Sequence, residues 1–534
     1  MMLGAAAAAG ASAQAIPTPG AVLESVRPQT PAVPAPGQAV PLDLPAVSDT
    51  QNLDPNAPRL AVSGFRIVGN RSVDAAVLQA LLEGQGGKPL NVYELNKVAR
   101  ILADYYHEHG FPVARAVIPA QRIDGGVVTI EVIEGRVDKT AFSGNRSYSP
   151  EFLARWGAPL TGEAVRTESL EERLLKIGDL PGLDVRAVLR PGAEYGTTTV
   201  DVLVQEDPVE GQVSLNNYGR REVGETRLDA SVNLNNPFGI GDQLGFRGSY
   251  SAGGLIKMAG LNYSLPLNVQ GTRLGLSYTA VDYAIGGELS ALDIHGKSQL
   301  GSVSLIHPFL RRQAENLFGT FSVRTFKGEQ STGPLPLSDT SVTVMEIGTA
   351  WNRIDGKGNV ASAGLRASTN FQDSNDGLDN DAHKFKLDGE ASYLYRLGGS
   401  WDLRLAGAAQ WAPDTLSDAE KFSLGGPNSV RGYPTADVRG DRGGFASIEL
   451  RYRGVLDGVP GYVSLFADGG YAASVNPGPG VPRSNTISSA GLGVTFFPGK
   501  ELSIEVAAAV PTSSLDPSDP RKHGRVWLNL TTYF

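Results

Sequence analysis

The residues of this chain that could do chemistry are few and poorly placed for catalysis. No G-x-S-x-G nucleophile elbow and no phosphate-cradling G-x-x-x-x-G-K occurs. Cysteine is absent, which excludes a disulfide scaffold, a thiolate zinc site and a cysteine nucleophile. The six histidines are scattered; His107 and His109 are the one close pair, and two residues apart on a helix they point to different faces. The segment "DSNDGLDND" (373–381) is acidic enough to interest calcium, but its glycine stands at the fifth place and no glutamate closes the loop, so it reads as a solvated connection. Neither an enzyme nor a metal or cofactor site is expected. What stands out is "NSVRGYPTADVRGDRGG" (428–444), which sets Arg431, Arg439 and Arg442 among glycines. It can be read as an RGG-type RNA-binding patch, as an adhesion loop around Arg439-Gly440-Asp441, or as a segment that acts inside the protein.

Composition removes the first reading. The net charge is −9 and the pI about 5.4, whereas a nucleic-acid binder carries a basic surface. The 534 residues are far more than one ordinary domain needs. The N-terminus, "MMLGAAAAAGASAQA", is small and apolar and ends in A-x-A patterns, like the end of an export signal without its basic start. No apolar run long enough for a transmembrane helix follows it. Ten prolines between residues 17 and 58 make an extended linker, with room for a helical turn or two at Ala21–Val26.

From Leu60 the pattern becomes α+β. "LAVSGFRIVG" reads as a strand, and Ser72 as the cap of a helix carrying Val73, Val77, Leu78 and Leu81. Asn91 and Glu94 have capping-box spacing ahead of the helical period Leu95, Val98, Leu102, Tyr105, which Gly110 stops. "FPVARAVIP" and "GVVTIEVIEG" are two strands. The order then repeats: "VGNRSVDAAVL" (68–78) matches "SGNRSYSPEFL" (143–153), with helices at Pro150–Trp156 and Glu163–Ile177 and two strands after them. This predicts segments 1–15, 16–58, 59–137, 138–206 and 207–534: export remnant, linker, two small modules, and a long remainder.

In that remainder helical period gives way to alternation. Leu228, Ala230, Val232 and Leu234 alternate with Arg227, Asp229, Ser231 and Asn233; Phe385, Leu387, Ala391, Tyr393 and Tyr395 share a face opposite Lys386, Asp388, Glu390 and Ser392. Aromatic residues sit at the ends of the apolar faces, as at a membrane interface. At roughly 20 residues per strand and connection the region holds about 16 antiparallel strands, a transmembrane β-barrel whose last strand "RVWLNLTTYF" pairs with the first. In "YVSLFADGG" (462–470), Val463, Leu465 and Ala467 form the apolar face, so Ser464, Phe466 and Asp468 point into the lumen.

These residues resemble the outer-membrane transporters of two-partner secretion, the haemolysin-secretion and filamentous-haemagglutinin-export family. The resemblance is carried by "GFPVARAVIPAQRIDGGVVTIEVIEGRV" (110–137), "NYSLPL" (262–267), "HPFLRRQAENL" (307–317), "SVRGYP" (429–434) and "FADGG" (466–470), in that order behind two modules. It implies two periplasmic polypeptide-transport-associated (POTRA) domains before the barrel, in the outer membrane of a Gram-negative cell. They would capture the N-terminal secretion domain of an unfolded partner exoprotein, which the pore passes outward without ATP. It implies contact with outer-membrane lipid, insertion by the barrel-assembly machinery, no nucleic-acid partner, and a helix near Ala21–Val26 that occupies the pore at rest. It also implies that the loop with Arg431, Gly432 and Tyr433 folds into the lumen. There Arg431 would meet Asp468 beside Phe466, Gly432 would allow a tight turn and Tyr433 would pack on the inner wall. If simple pairing is the role, exchanging the charges at 431 and 468 should restore some of the function lost in either single substitution.

For cargo capture the expected surface is the sheet edge Val113–Ile118 beside helix Leu95–Tyr106, with Val113, Arg115, Val117 and Ile118 accepting an extended peptide by strand addition. Two alternatives stay open from sequence: a barrel-assembly insertase of the same superfamily, and a surface adhesin or passive porin.

Overall fold

The computed structural model describes residues 17–26, 34–37, 40–43, 54–375, 383–456, 458–478, 482–519 and 521–534. The export remnant and most of the acidic 373–381 loop lie outside the described residues.

Two modules of the same topology come first. In the first, Gly64–Val68 pairs in parallel with Val127–Ile133, which pairs antiparallel with Arg115–Val117. Helices Ala75–Leu81 and Val92–Glu108 cover one face, burying Leu78, Leu95, Val98, Leu102 and Tyr106 against Val128, Ile130 and Val132. The Asn91–Glu94 capping box closes in both directions, at 2.8 and 3.0 Å, and Gly110, at φ +85°, follows the helix end. The segment expected as one strand at 60–69 is two: Leu60–Val62 leaves the sheet to pair with Lys88–Leu90. In the second module Arg136–Ser143 pairs in parallel with Thr197–Glu206, which pairs antiparallel with Leu183–Pro191. Its second helix begins at Thr167 rather than Glu163, because the Val165 N–H is turned to the Gly135 carbonyl.

The repeated Gly-Asn-Arg-Ser has a physical cause that differs from the expected one. Asp74, not Ser72, caps the first helix. Ser72 donates its N–H and hydroxyl to Glu134, at 2.7 and 2.8 Å, and Arg71 N–H adds a third bond at 2.7 Å. Glu206 binds Arg146, Ser147 and Tyr148 in the same way one module later. A carboxylate at the end of each module's last strand thus ties down the turn after its first. Burial pushes the Glu134 carboxyl up, but the bonds from Ser72, Arg71 and Tyr106 outweigh it and hold the group below its ordinary value. Gly69 and Gly144 start these turns at φ +86° and +92°, where a Cβ would lie 2.2 and 2.3 Å from the carbonyls of Val132 and Val204.

From Val209 the chain makes a closed barrel of 16 antiparallel strands. The first, Val209–Asn216, pairs with the last, Arg525–Tyr533, and Phe534 exchanges both backbone hydrogen bonds with Gly211. Alternation sends apolar residues outward: Leu228, Val463, Leu465 and Val526 are exposed, while Arg227, Ser464, Phe466 and Asp468 are buried inside. In water the pattern would be inverted; it fits a wall bathed in hydrocarbon. Three neighbouring strands, Ile294–Arg311, Glu315–Thr332 and Leu335–Ile354, run 18, 18 and 20 residues, well beyond the roughly 10 a tilted strand needs to cross.

Candidate functional site: the occupied lumen

The lumen holds two inserted segments. One is the helix Pro19–Ser25, started by Thr18 and Pro19. Val22 and Leu23 pack among inward side chains of the wall, including Ile256, Tyr283 and Phe326. Polar contacts fix its ends. Asp418 accepts the Gly20 N–H at 3.0 Å, Ser298 and Gln330 donate to the Pro19 and Pro17 carbonyls at 3.3 and 3.0 Å, and Arg227 donates to the Ser25 carbonyl. A polar cavity of about 430 Å³ remains beside it, lined by Arg324, Glu346, Lys386, Asp388 and Glu420 among others. Glu420 joins Arg324 at 2.6 Å and Lys386 at 2.9 Å.

The other segment is the connection between strands Trp401–Trp411 and Arg442–Leu456, which folds back inside. It carries the arginine–glycine sequence, and every arginine there has an internal partner. Arg431 spans Asp468 with Nε at 2.9 Å and Nη2 at 2.8 Å, and its N–H reaches the same carboxylate at 3.2 Å. The match is a planar fork on a carboxylate. Nη1 lies 3.2 Å from Glu449, Nη2 reaches Ser447 at 3.2 Å, and the guanidinium sits 3.2 Å from the centre of the Phe466 ring. Ser447 and Ser489 complete the shell of Asp468 at 2.8 and 3.2 Å. Sequence reasoning missed Glu449 and Ser447; both face inward from the strand beside Asp468, so alternation through Ile448 and Leu450 carried the signal.

Tyr433 is fully buried with Val430, Val438, Ala472 and Ile487, and its hydroxyl reaches the Leu515 carbonyl at 2.7 Å. Arg431 and Gly432 are the central residues of a turn closed by the Tyr433 N–H on the Val430 carbonyl at 3.1 Å, but Gly432 does not take a positive φ there. The positive φ of this segment is at Ala436, +54°, and Gly432 lies so close to the wall that a Cβ would come within 2.7 Å of the Ser489 Cβ. Trp527 donates its indole N–H to the Arg431 carbonyl at 2.7 Å. The adhesion tripeptide is also inside. Arg439 donates to Asp418 at 2.6 Å and Thr18 at 3.0 Å, and the buried Asp441 accepts the N–H groups of Leu416 and Val475, each at 2.8 Å. Arg439 therefore ties the inner loop to the start of the helix.

The expected sheet edge is shorter than 113–118. Only Arg115–Val117 is strand. Val113 lies in the preceding turn and packs against Gly135 and the core of the second module, and Ile118 follows the strand and packs into the first module's core. Arg115 and Val117 remain on an edge without a strand partner among the described residues. The two histidines serve different neighbours. His107 Nε2 is 2.8 Å from the Ala114 carbonyl, and His109 stacks on Tyr105.

The second module is clamped to the barrel. Arg311, 1% exposed, grips Asp179 at 2.9 and 2.8 Å and Asn316 at 2.9 Å, and Arg173 donates to the Val269 carbonyl at 2.5 Å.

Comparison with known proteins supports this architecture. The haemolysin secretion/activation protein ShlB/FhaC/HecB family matches residues 196–496, and the ShlB-type POTRA domain matches residues 60–135. The heme/hemopexin transporter protein HuxB of Haemophilus influenzae (strain 86-028NP) is 27% identical over 493 residues, covering 87% of this chain and 85% of its own. Among solved structures, CdiB from Escherichia coli superposes with a TM-score of 0.72 at 22% identity, over 93% of this chain and 94% of its own. BamA from Haemophilus ducreyi lacking POTRA domains 1–3 gives 0.56 at 15%, over 89% and 100%. Two POTRA domains, which are periplasmic in this family, precede an outer-membrane barrel with an occupied lumen: the chain belongs to the ShlB/FhaC/HecB family of haemolysin secretion/activation proteins, the two-partner secretion transporters.

Proposed function

We propose that the chain exports one unfolded partner exoprotein, captured by its POTRA domains and passed outward through the barrel without ATP. The observation that carries this reading is the pair of inserted segments. The pore is occupied by its own N-terminal helix and an inner loop, both held by polar and apolar side-chain contacts rather than built into the wall. Such an element can leave and make room for another chain. The Arg431–Asp468 contact is then a latch that keeps the inner loop docked, with Gly432, Tyr433 and Phe466 shaping its seat. The edge Arg115–Val117 of the first POTRA domain is the surface where cargo adds a strand, since main-chain bonding accepts many sequences.

The test is transport in proteoliposomes holding the purified protein and no nucleotide. The substrate is the unfolded secretion domain of the partner exoprotein. Protease-protected cargo should appear with wild type and fall at least tenfold with Val117→Pro. Transport that needs added nucleotide, or that is indifferent to Val117→Pro, would refute the reading.

A further inference from the structure

The described residues of the linker between the lumen helix and the first POTRA domain are anchored at two places. The Pro34 carbonyl accepts from Asn352 at 2.9 Å and Gly37 N–H bonds the Gln313 carbonyl at 2.7 Å, at the periplasmic rim. Leu42–Asp43 then adds to the second POTRA domain as a parallel strand against Ala187 and Val188, making its sheet four-stranded. The Ala187 N–H donates to the Pro41 carbonyl at 2.9 Å. Val40 and Leu42 pack onto that domain's core, and Asp43 pairs with Arg186 at 2.6 Å on the outer side. The acceptor strand Leu183–Pro191 holds the same topological place as Arg115–Val117 in the first domain. It is nine residues long, and among the described residues the linker pairs with two of them.

We propose that this edge is a second strand-accepting site for the secreted protein, held shut at rest by the linker acting as an internal stand-in. The geometry specifies the occupant: an extended, unfolded segment with apolar residues two apart and an acidic residue directly after the second, to meet Arg186. A segment that pairs along more of the nine-residue edge than Leu42–Asp43 does can displace it. Because the same linker runs to the helix in the lumen, strand exchange here loosens the tether of that helix. The inference rests on the proposed transport role, but its site can be tested without transport.

The chain has no cysteine, and directly paired neighbouring strands lie within disulfide reach. Asp43→Cys with Val188→Cys therefore gives a clean lock. The probe is a fluorescein-labelled peptide of residues 38–44 (QAVPLDL), titrated by anisotropy onto the full-length protein in detergent. A tethered competitor acts at an effective concentration in the millimolar range. Leu42→Asp, which weakens the tethered strand, should thus bind the peptide at least tenfold more tightly than wild type. The oxidised lock should bind it at least tenfold more weakly than the same protein after reduction. Adding Arg186→Glu to Leu42→Asp should reverse the gain. Equal affinity for wild type, Leu42→Asp and the oxidised lock would overturn the inference. A protein that binds the peptide as expected but moves no cargo in proteoliposomes would sink the transport reading and leave this site standing.

Discussion

Arg431→Ala should undock the inner loop while leaving the barrel closed. The side chain supplies two of the five donors around Asp468, both charge-assisted, and a third contact to Glu449. Asp468 is 4% exposed, so water cannot replace them while the loop stays in place. Breaking one side of a buried pair of this kind costs about 3–5 kcal/mol, or about two to three and a half powers of ten in the docking equilibrium. Glu449 keeps Arg451 at 2.8 Å, so the lower end of that range is the better expectation. Trypsin reads the change at Lys421 and Arg439. Cleavage of a segment that opens and closes quickly follows its open population, so the rate in proteoliposomes should rise about 10²-fold over wild type. A rate within about threefold of wild type would refute the latch. Exchanging the charges, Arg431→Asp with Asp468→Arg, should not restore docking. The new aspartate would face Glu449, and the stack on Phe466 would be lost.

Two further outcomes follow from the POTRA domains. Glu134→Gln should cost the first domain about 1–3 kcal/mol in urea unfolding near neutral pH, because bonds to a buried charge are weakened. The Glu134 carboxyl is lowered on folding, so its stabilisation is present above the unfolded carboxylate value of about 4.3 and is lost as pH falls through the folded one. The substitution should flatten the acid side of the profile, and an unchanged slope would count against the assignment. Arg311→Ala should release the second domain from the barrel without unfolding either, broadening the spin-label distance distribution between Asp184→Cys and Lys357→Cys. An unchanged distribution would show that other contacts set the angle.

The barrel was legible because its signal is redundant. Sixteen strands repeat one alternation, and a one-residue slip would put Arg227 or Asp468 into lipid. Helix Val92–Glu108 was legible because its cap is local, Asn91 to Glu94. What could not be read depended on distant partners. Ser72 has the look of a helix cap, and only the fold reveals Glu134, 62 residues on, as its partner. Val113 has strand-like neighbours, but the turn it occupies faces a second domain. Leu42–Asp43 is two residues in a proline-rich linker, with no period of its own; the acceptor edge makes it a strand. The Arg431–Asp468 pair came from alternation at Asp468 together with family resemblance; the turn at Gly432 has an ordinary backbone, and the space beside Ser489 is what requires glycine there.

The lumen helix shows the same dependence in energetic form. Seven residues are too few for a helix to hold itself in water, where about 12–15 are needed even with favourable composition. The pore supplies what the sequence lacks. Thr18 and Asp418 accept the first N–H groups and Arg227 takes a last carbonyl, acceptors at the positive end and a cation at the negative one. The wall covers Val22 and Leu23. Outside the pore the same residues have none of these partners, so leaving the lumen and unfolding are one event. The conformational entropy regained by the released segment, about 1–2 kcal/mol per residue, offsets much of the lost contact. An element that folds only in its seat is thereby held firmly at rest and still released without a large net cost. On the proposed function this is what a stopper needs when strand exchange at the POTRA domains is the only work available to move it.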